Sequence, residues 1–383
     1  MKRFISERYK NITPSSMMRM AALASSVEGA IDLTLGEPDI PTPEAICESL
    51  AQSANRGETH YAPGMGLADL RKAVSDYWKR KYGLMYGADE IFVTVGGSQA
   101  SSLVFQVTLE RGDEVIIPEP FFTFYEQQVL QAGGVPIYCM STFEEGFVPN
   151  PKRLESLITP NTKAVIINSP CNPTGAVFPK NVLLEIASAV KRHDLLVISD
   201  ELYEGFSYFV PHTPFASLPD MKERTVTIGG LSKSYAMTGW RIGYAMADSA
   251  LLKTMQNVAV VQTLSVNTMV QKAAEYALNN CDCEAERISA IFRNRVTRGY
   301  EFFSKLPGIK CSRPGGSFYL FLDVTDTGMS GEDFAVKMLK EAKVVTIPGD
   351  SFGPHCGNYV RIACTVSEEL MEEASKRIRR VLS

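Results

Sequence analysis

The chain has 383 residues, more than one ordinary hydrophobic core supports, and suits two linked domains. With 45% hydrophobic and 21% charged residues it has a globular composition, and a formal net charge of −4 without a long Lys/Arg block argues against a nucleic-acid or anionic-membrane binder. No run approaches the roughly 20 apolar residues of a membrane span, and the first twenty residues lack the apolar core of a signal peptide, so a cytoplasmic protein is expected.

In chain order, EIFVTV (90–95) reads as a strand, with a helix opening near Ser98. EVIIP (114–118) is a second strand, followed by a helix from about Phe122. VPIYCM (135–140) and KAVIINSP (163–170) are the next two strands. A helix from Lys180 to His193 leads into the strand LLVISDE (195–201). TVTIGG (225–230) and WRIGYAMA (240–247) complete a set of seven. Short β-branched runs alternating with longer amphipathic stretches predict a mainly parallel sheet between helices. Beyond about residue 275 the texture changes. A helix from Glu284 to about Lys305 precedes GGSFYLFLDV (315–324). Then come a helix (Gly331–Glu341), a strand VVTIPG (344–349), a strand YVRIAC (359–364) and a terminal helix (Ser367–Val381). The fold class expected is α/β, with a smaller α+β domain. The divisions are 1–40 (part of the small domain), 41–275 (large domain) and 276–383 (small C-terminal domain). The eight cysteines and four histidines lack the clustering of a metal site, and none is expected.

In open α/β sheets ligands sit beyond the carboxyl ends of the strands. Gly96, Gly97 and Ser98, then Asn172, then Asp200, then Ser232 and Lys233 all fall at such ends. Any one of them has an ordinary alternative: Asp200 as a helix cap, Asn172 as a turn former before proline, Arg361 as an ion-pair member. Together they are chemically consistent. Lys233 offers an amine nucleophile, Arg241 an anion clamp, and GGSQA a helix start whose N–H groups can bind phosphate. Asp200 can hold a proton on a ring nitrogen, and Asn172 with a tyrosine can bond a phenolate. Those are the features of pyridoxal phosphate held by a lysine Schiff base.

The stretch GGLSKSYAMTGWRIG (229–243) closely resembles the lysine signature of the class I/II aminotransferases, the fold type I superfamily of aspartate aminotransferase. LTLGEPDIPTP (33–43), YAPGMGLADLR (61–71), NSPCNPTGAV (168–177), ISDELYEGF (198–206) and NYVRIA (358–363) resemble further family landmarks in the family's order. The resemblance implies a catalytic group of Lys233, Asp200 and Tyr203. It implies a cofactor cradle of Lys233, Gly97, Ser98, Gln99, Phe122, Asn172, Asp200, Tyr203, Ser232 and Arg241, with Tyr61 supplied by the second subunit of a homodimer. It implies substrate contacts from Gly36, Tyr125, Asn172 and Arg361, the arginine forking onto the α-carboxylate. The reaction implied is ping-pong transfer between an L-amino acid and a 2-oxo acid. Two rivals remain at this stage: a carbon–sulfur β-lyase on the same cofactor, and a non-enzymatic pyridoxal-phosphate sensor. Some dicarboxylate-specific members carry lysine where this chain has Ser98, and FFTFY (121–125) with Phe318–Tyr319 suits an aromatic or broad neutral side chain. The stretch Thr13–Met20 is expected to close over the substrate with the small domain.

Overall fold

The computed structural model describes residues 27–383, together with Phe4, Arg19, Met20, Ala22 and Leu23. In chain order the larger elements begin with β1 (Ile31–Asp32), α1 (Glu44–Asn55), α2 (Ala68–Tyr82), β2 (Ile91–Thr94), α3 (Gly96–Thr108) and β3 (Glu114–Glu119). They continue with α4 (Phe124–Gln131), β4 (Val135–Met140), α5 (Pro151–Ser156), β5 (Thr162–Asn168), α6 (Lys180–Arg192) and β6 (Leu196–Asp200). Then come β7 (Thr225–Gly230), β8 (Gly243–Met246), α7 (Ser249–Thr263), α8 (Thr268–Asn280) and α9 (Asp282–Phe303). The C-terminal part holds β9 (Lys310–Cys311), β10 (Tyr319–Asp323), α10 (Gly331–Lys337), β11 (Val344–Val345), β12 (Ile347–Pro348), β13 (Tyr359–Ala363) and α11 (Glu368–Leu382).

Seven strands form the main sheet in the order β2-β8-β7-β6-β5-β3-β4, and only β8 runs against the others. The seven strands read from the sequence are these seven. Each of the central strands is apolar on both sides because helices cover both faces. Ile116, Val165, Ile167 and Val197 pack toward α6, while Ile117, Ile166, Ile198 and Ile228 pack toward α3 and α7. Helix α6 shows why the pattern folds this way: Leu183, Ile186, Ala187 and Val190 recur at helical spacing and, with Ala189, are the residues it buries. Burial of each large apolar side chain there contributes about 1.5–3 kcal/mol. Asp248 accepts hydrogen bonds from the N–H groups of Ala250 and Leu251, which starts α7 directly after the sheet's antiparallel strand.

The smaller domain is built on the antiparallel sheet β12-β13-β10-β9. Its core joins Ile31 and Leu33 to residues of α9, β10, β13 and α11, so the N-terminal segment packs with the C-terminal part. β1 pairs in parallel with β11. The expected strand 344–349 is two strands, because Thr346 separates a pair bonded to β1 from a pair bonded to β13. The helix expected to run to Glu341 loosens into a π-helical turn, Met338–Ala342, and stops at Lys343, whose φ is 53°. Of the stretch expected to close over the substrate, residues 13–18 lie outside the described residues. Arg19 pairs with Glu332 at 3.0 Å, and Met20 is buried against Ala335, Leu339 and Val345.

Candidate active site

A cavity of about 240 Å³ opens beyond the carboxyl ends of β2, β5, β6 and β7. Its wall is made of Gly97 and Ser98 at the start of α3, Asn172 after β5, Asp200 at the end of β6, and Ser232, Lys233 and Arg241 after β7. Gly36 and Arg361 reach it from the smaller domain, and Phe122, Tyr125 and Tyr203 complete the lining. Residues spread from 36 to 361 thus meet in one space.

Lys233 directs Nζ at the Gly36 carbonyl, 2.5 Å away. Burial pushes the amine down from the usual lysine range to about 8; Glu37 opposes that shift, and Arg361 and Arg241 add to it. Asp200 is buried, which raises its carboxyl above the ordinary range, while the Tyr125 hydroxyl at 2.5 Å and the Leu202 N–H at 3.2 Å hold it down. Asn168, which the sequence reading did not single out, donates to the Asp200 carbonyl at 3.1 Å and accepts from the Asn172 N–H at 3.0 Å. It therefore fixes two strand ends relative to one another. Tyr125 lines the cavity as expected, and its hydroxyl donates to the Asp200 carboxylate.

Arg361 is fully buried on β13. Nη1 donates to Asn172 Oδ1 at 3.0 Å and Nη2 to the Thr34 carbonyl at 2.6 Å. Its guanidinium carbon lies 4.4 Å from the Tyr319 ring centre and 5.0 Å from that of Phe352. Nε has no hydrogen-bond partner, and no carboxylate forms an ion pair with this cation among the described residues. Burial pushes its pKa down from the usual arginine value, yet a guanidinium keeps its charge. Since Asn172 Oδ1 is taken by Arg361, its amide N–H₂ is the half left to face the cavity. Tyr203 and Tyr319 share a hydrogen bond of 2.8 Å, and the second of these tyrosines was read from the sequence only as an apolar surface.

The anion end is built from backbone. Gly96 opens α3 with φ +71°, and a Cβ there would come within 2.6 Å of Arg241 Nη2. Arg241 itself has φ 55°, a left-handed value incompatible with a strand, which is why β8 begins at Gly243 rather than at Trp240. Its Nη1 donates to the Thr238 carbonyl at 2.8 Å. Gln99 does not line the cavity. Its side chain accepts from the Val95 N–H and donates to Thr263, tying the start of α3 to the end of α7. Tyr61 stands apart from this cavity and is 83% exposed. Phe122 lines the wall with its ring tilted against Phe124, 4.7 Å between centres.

The donor set fits pyridoxal phosphate. A depressed amine suits the aldehyde, an acidic group at the floor suits the ring nitrogen, free N–H and O–H groups suit the phenolate, and a helix start with arginine suits the phosphate. Fold and site together define a fold type I pyridoxal-phosphate enzyme. The sequence profile of aminotransferase class I and II matches residues 28–378. The chain is 39% identical over 383 residues to the putative aminotransferase YugH of Bacillus subtilis (strain 168), covering 100% of this chain and 99% of that one. It is 38% identical to aromatic-amino-acid aminotransferase 2 of Thermococcus litoralis, covering 99% and 98% of the two chains. Among solved structures, aspartate aminotransferase from Thermus thermophilus with maleate superposes with a TM-score of 0.94 at 37% identity, over 98% of this chain and 99% of that one. The protein belongs to the class I and II aminotransferases and is a pyridoxal-phosphate-dependent enzyme that transfers amino groups.

Proposed function

We propose that the enzyme exchanges an amino group between an aromatic or broadly neutral L-amino acid and a 2-oxo acid, in two half-reactions at one site. The observation that carries this reading is Arg361: a buried cation at the cavity wall with no carboxylate partner among the described residues. A substrate α-carboxylate would accept a forked pair of hydrogen bonds there, with Asn172 and the Thr34 carbonyl holding the fork in place. The cofactor, when bound, supplies the electron sink that makes the substrate Cα–H acidic. Lys233 would hold the cofactor through Nζ, and the same atom would carry the proton to and from the substrate carbon. Its depressed basicity leaves a useful neutral fraction near pH 8. Asp200, held by Tyr125, would keep a proton on the ring nitrogen, and Asn172 with Tyr203 would bond the ring oxygen. Gly97, Ser98, Ser232 and Arg241 would hold the phosphate, and Phe122 would supply an apolar wall for the ring. Gln99 supports that loop through Val95 and Thr263 rather than by direct contact.

The substrate reading draws on Ser98 and on the aromatic walls formed by Phe122, Phe124 and Tyr319. Relatives are named for both aspartate and aromatic substrates, so a donor panel decides it. With 2-oxoglutarate as acceptor, phenylalanine should give a kcat/KM above that of aspartate; equal values would end the preference.

The site is also proposed to be shared between two subunits of a homodimer in the cytoplasm. Tyr61, Val261 and Leu264 are exposed apolar side chains, and Gly64, three residues after Tyr61, lies against Gln256 and Val260 of α7. An apolar rim of this kind is what a second subunit would cover. Division at about residues 40 and 275 accords with the separate core that joins Ile31 and Leu33 to the C-terminal part.

A further inference from the structure

We propose that Tyr319 is a positioning residue: its hydroxyl donates to Tyr203 and so leaves the Tyr203 proton free for the ring oxygen of the cofactor. The proposal rests on the reading in which Tyr203 bonds that oxygen, and deepens it.

The two phenols reach the catalytic cavity from different sheets, and both line it. Tyr203 comes three residues after Asp200 ends β6, and Lys233 Nζ lies 5.9 Å from its ring centre. Tyr319 opens β10. It stands two residues before Phe321, the antiparallel partner of Arg361, so Tyr319 and Arg361 project from the same face of the smaller sheet. The Tyr319 side chain has little freedom. A Cβ at Gly36 would overlap its hydroxyl, and the Arg361 guanidinium covers its ring at 4.4 Å.

The two hydroxyls lie 2.8 Å apart, and each has only the other as a hydrogen-bond partner among the described residues. Two phenols carry two protons, and the bond between them uses one. The direction of that bond decides which tyrosine keeps the second proton. If Tyr203 donated to Tyr319, the ring oxygen would lose a donor. If Tyr319 donates, Tyr203 still has a proton to give.

Arg361 decides the direction. Burial raises both hydroxyls above the ordinary phenol range. At Tyr319 the guanidinium is the first group to oppose that rise, whereas at Tyr203 the neighbouring Tyr319 adds to it. The hydroxyl beside the cation is the better donor, so the chain of protons runs from Tyr319 to Tyr203 and on into the cavity. A hydroxyl that accepts a hydrogen bond also becomes a stronger donor itself. The aromatic wall formed by Tyr319 needs only its ring; this role needs its oxygen.

The test is a spectrophotometric pH titration of the cofactor-loaded enzyme, following the visible band of the lysine-bound cofactor. Donors to the ring oxygen favour its anion and lower the midpoint, so losing one should raise it. Tyr203→Phe should raise the midpoint by about one pH unit or more, the effect of one hydrogen bond to a charged group. Tyr319→Phe should raise it by about 0.3 unit or more, the strengthening that one bond lends the next. The double variant should match Tyr203→Phe alone, because the Tyr319 hydroxyl acts only through Tyr203. Tyr319→Phe keeps the ring over Arg361, so KM for the amino donor should stay within about threefold of the parent. A midpoint that stays or falls in Tyr319→Phe while Tyr203→Phe raises it overturns the proposal, as do shifts that add in the double variant. If Tyr203→Phe itself leaves the midpoint in place, the ring-oxygen reading fails and the proposal falls with it.

Discussion

Arg361→Lys would keep a positive charge under the substrate carboxylate and remove the fork. The guanidinium now donates to Asn172 and Thr34 in fixed directions, stacked between Tyr319 and Phe352. An ammonium on a flexible stem cannot hold both bonds and still present two parallel donors. The expected result is a fall in kcat/KM for the amino donor of roughly ten- to a hundredfold, the loss of one charge-assisted hydrogen bond. Cofactor affinity should fall much less than this, since Arg361 reaches the cofactor only through Asn172. Steady-state kinetics beside a cofactor titration separates the two, and weakened cofactor binding with normal KM would refute the role. Lys233 gives a second prediction at this scale. Burial favours its neutral form and lowers it to about 8, so the amine is protonated below that pH and free above it. Capture of added cofactor by cofactor-free enzyme should accelerate about tenfold per pH unit on the acid side of 8 and level off above. Stopped-flow absorbance would read this, and a rate that ignores pH between about 6 and 10 would contradict it.

At the scale of elements, the start of α3 and the loop after β7 depend on backbone shapes that few residues adopt. Gly96→Ala places a Cβ at φ +71° and against the Arg241 guanidinium. The left-handed conformation alone costs about 1–2 kcal/mol for an alanine. The melting temperature of the cofactor-free enzyme should fall accordingly, and cofactor should dissociate faster because the arginine is displaced. An unchanged off-rate would show that Arg241 is not held by this contact. The sequence made the strands legible for a physical reason: strands such as β5 and β6 are apolar on both faces, unlike the one-sided stripe of α6. It made the ends of β2, β5, β6 and β7 legible as a polar edge for the same reason. What it could not display were bonds between distant residues. Tyr125 and Asp200 are 75 positions apart, Tyr203 and Tyr319 are 116 apart, and neither pair follows any period. The start of β8 was misread because the left-handed turn at Arg241 leaves no trace in the apolar pattern.

For the whole molecule, the question is whether one chain makes a complete site. The cavity has an end lined by Gly97, Ser98, Ser232 and Arg241 of its own chain, yet Tyr61 stands exposed and does not line it. If Tyr61 serves the second subunit, two defective chains can repair one another. A Lys233→Ala chain has no amine but offers Tyr61, whereas a Tyr61→Ala chain has the amine and lacks the tyrosine. Losing one hydrogen bond to a phosphate should weaken the cofactor roughly tenfold or more, so Tyr61→Ala should be poorly loaded when cofactor is limiting. Co-expression yields mixed dimers in which one of the two sites has both an intact Lys233 and the tyrosine from its neighbour. Activity of purified mixed dimers at limiting cofactor should then exceed the mean of the two parent homodimers. If it equals that mean, Tyr61 does not cross the interface and the shared site is wrong. Repeating the measurement at saturating cofactor should narrow the difference, since the tyrosine contributes to binding rather than to the proton transfer that Lys233 performs.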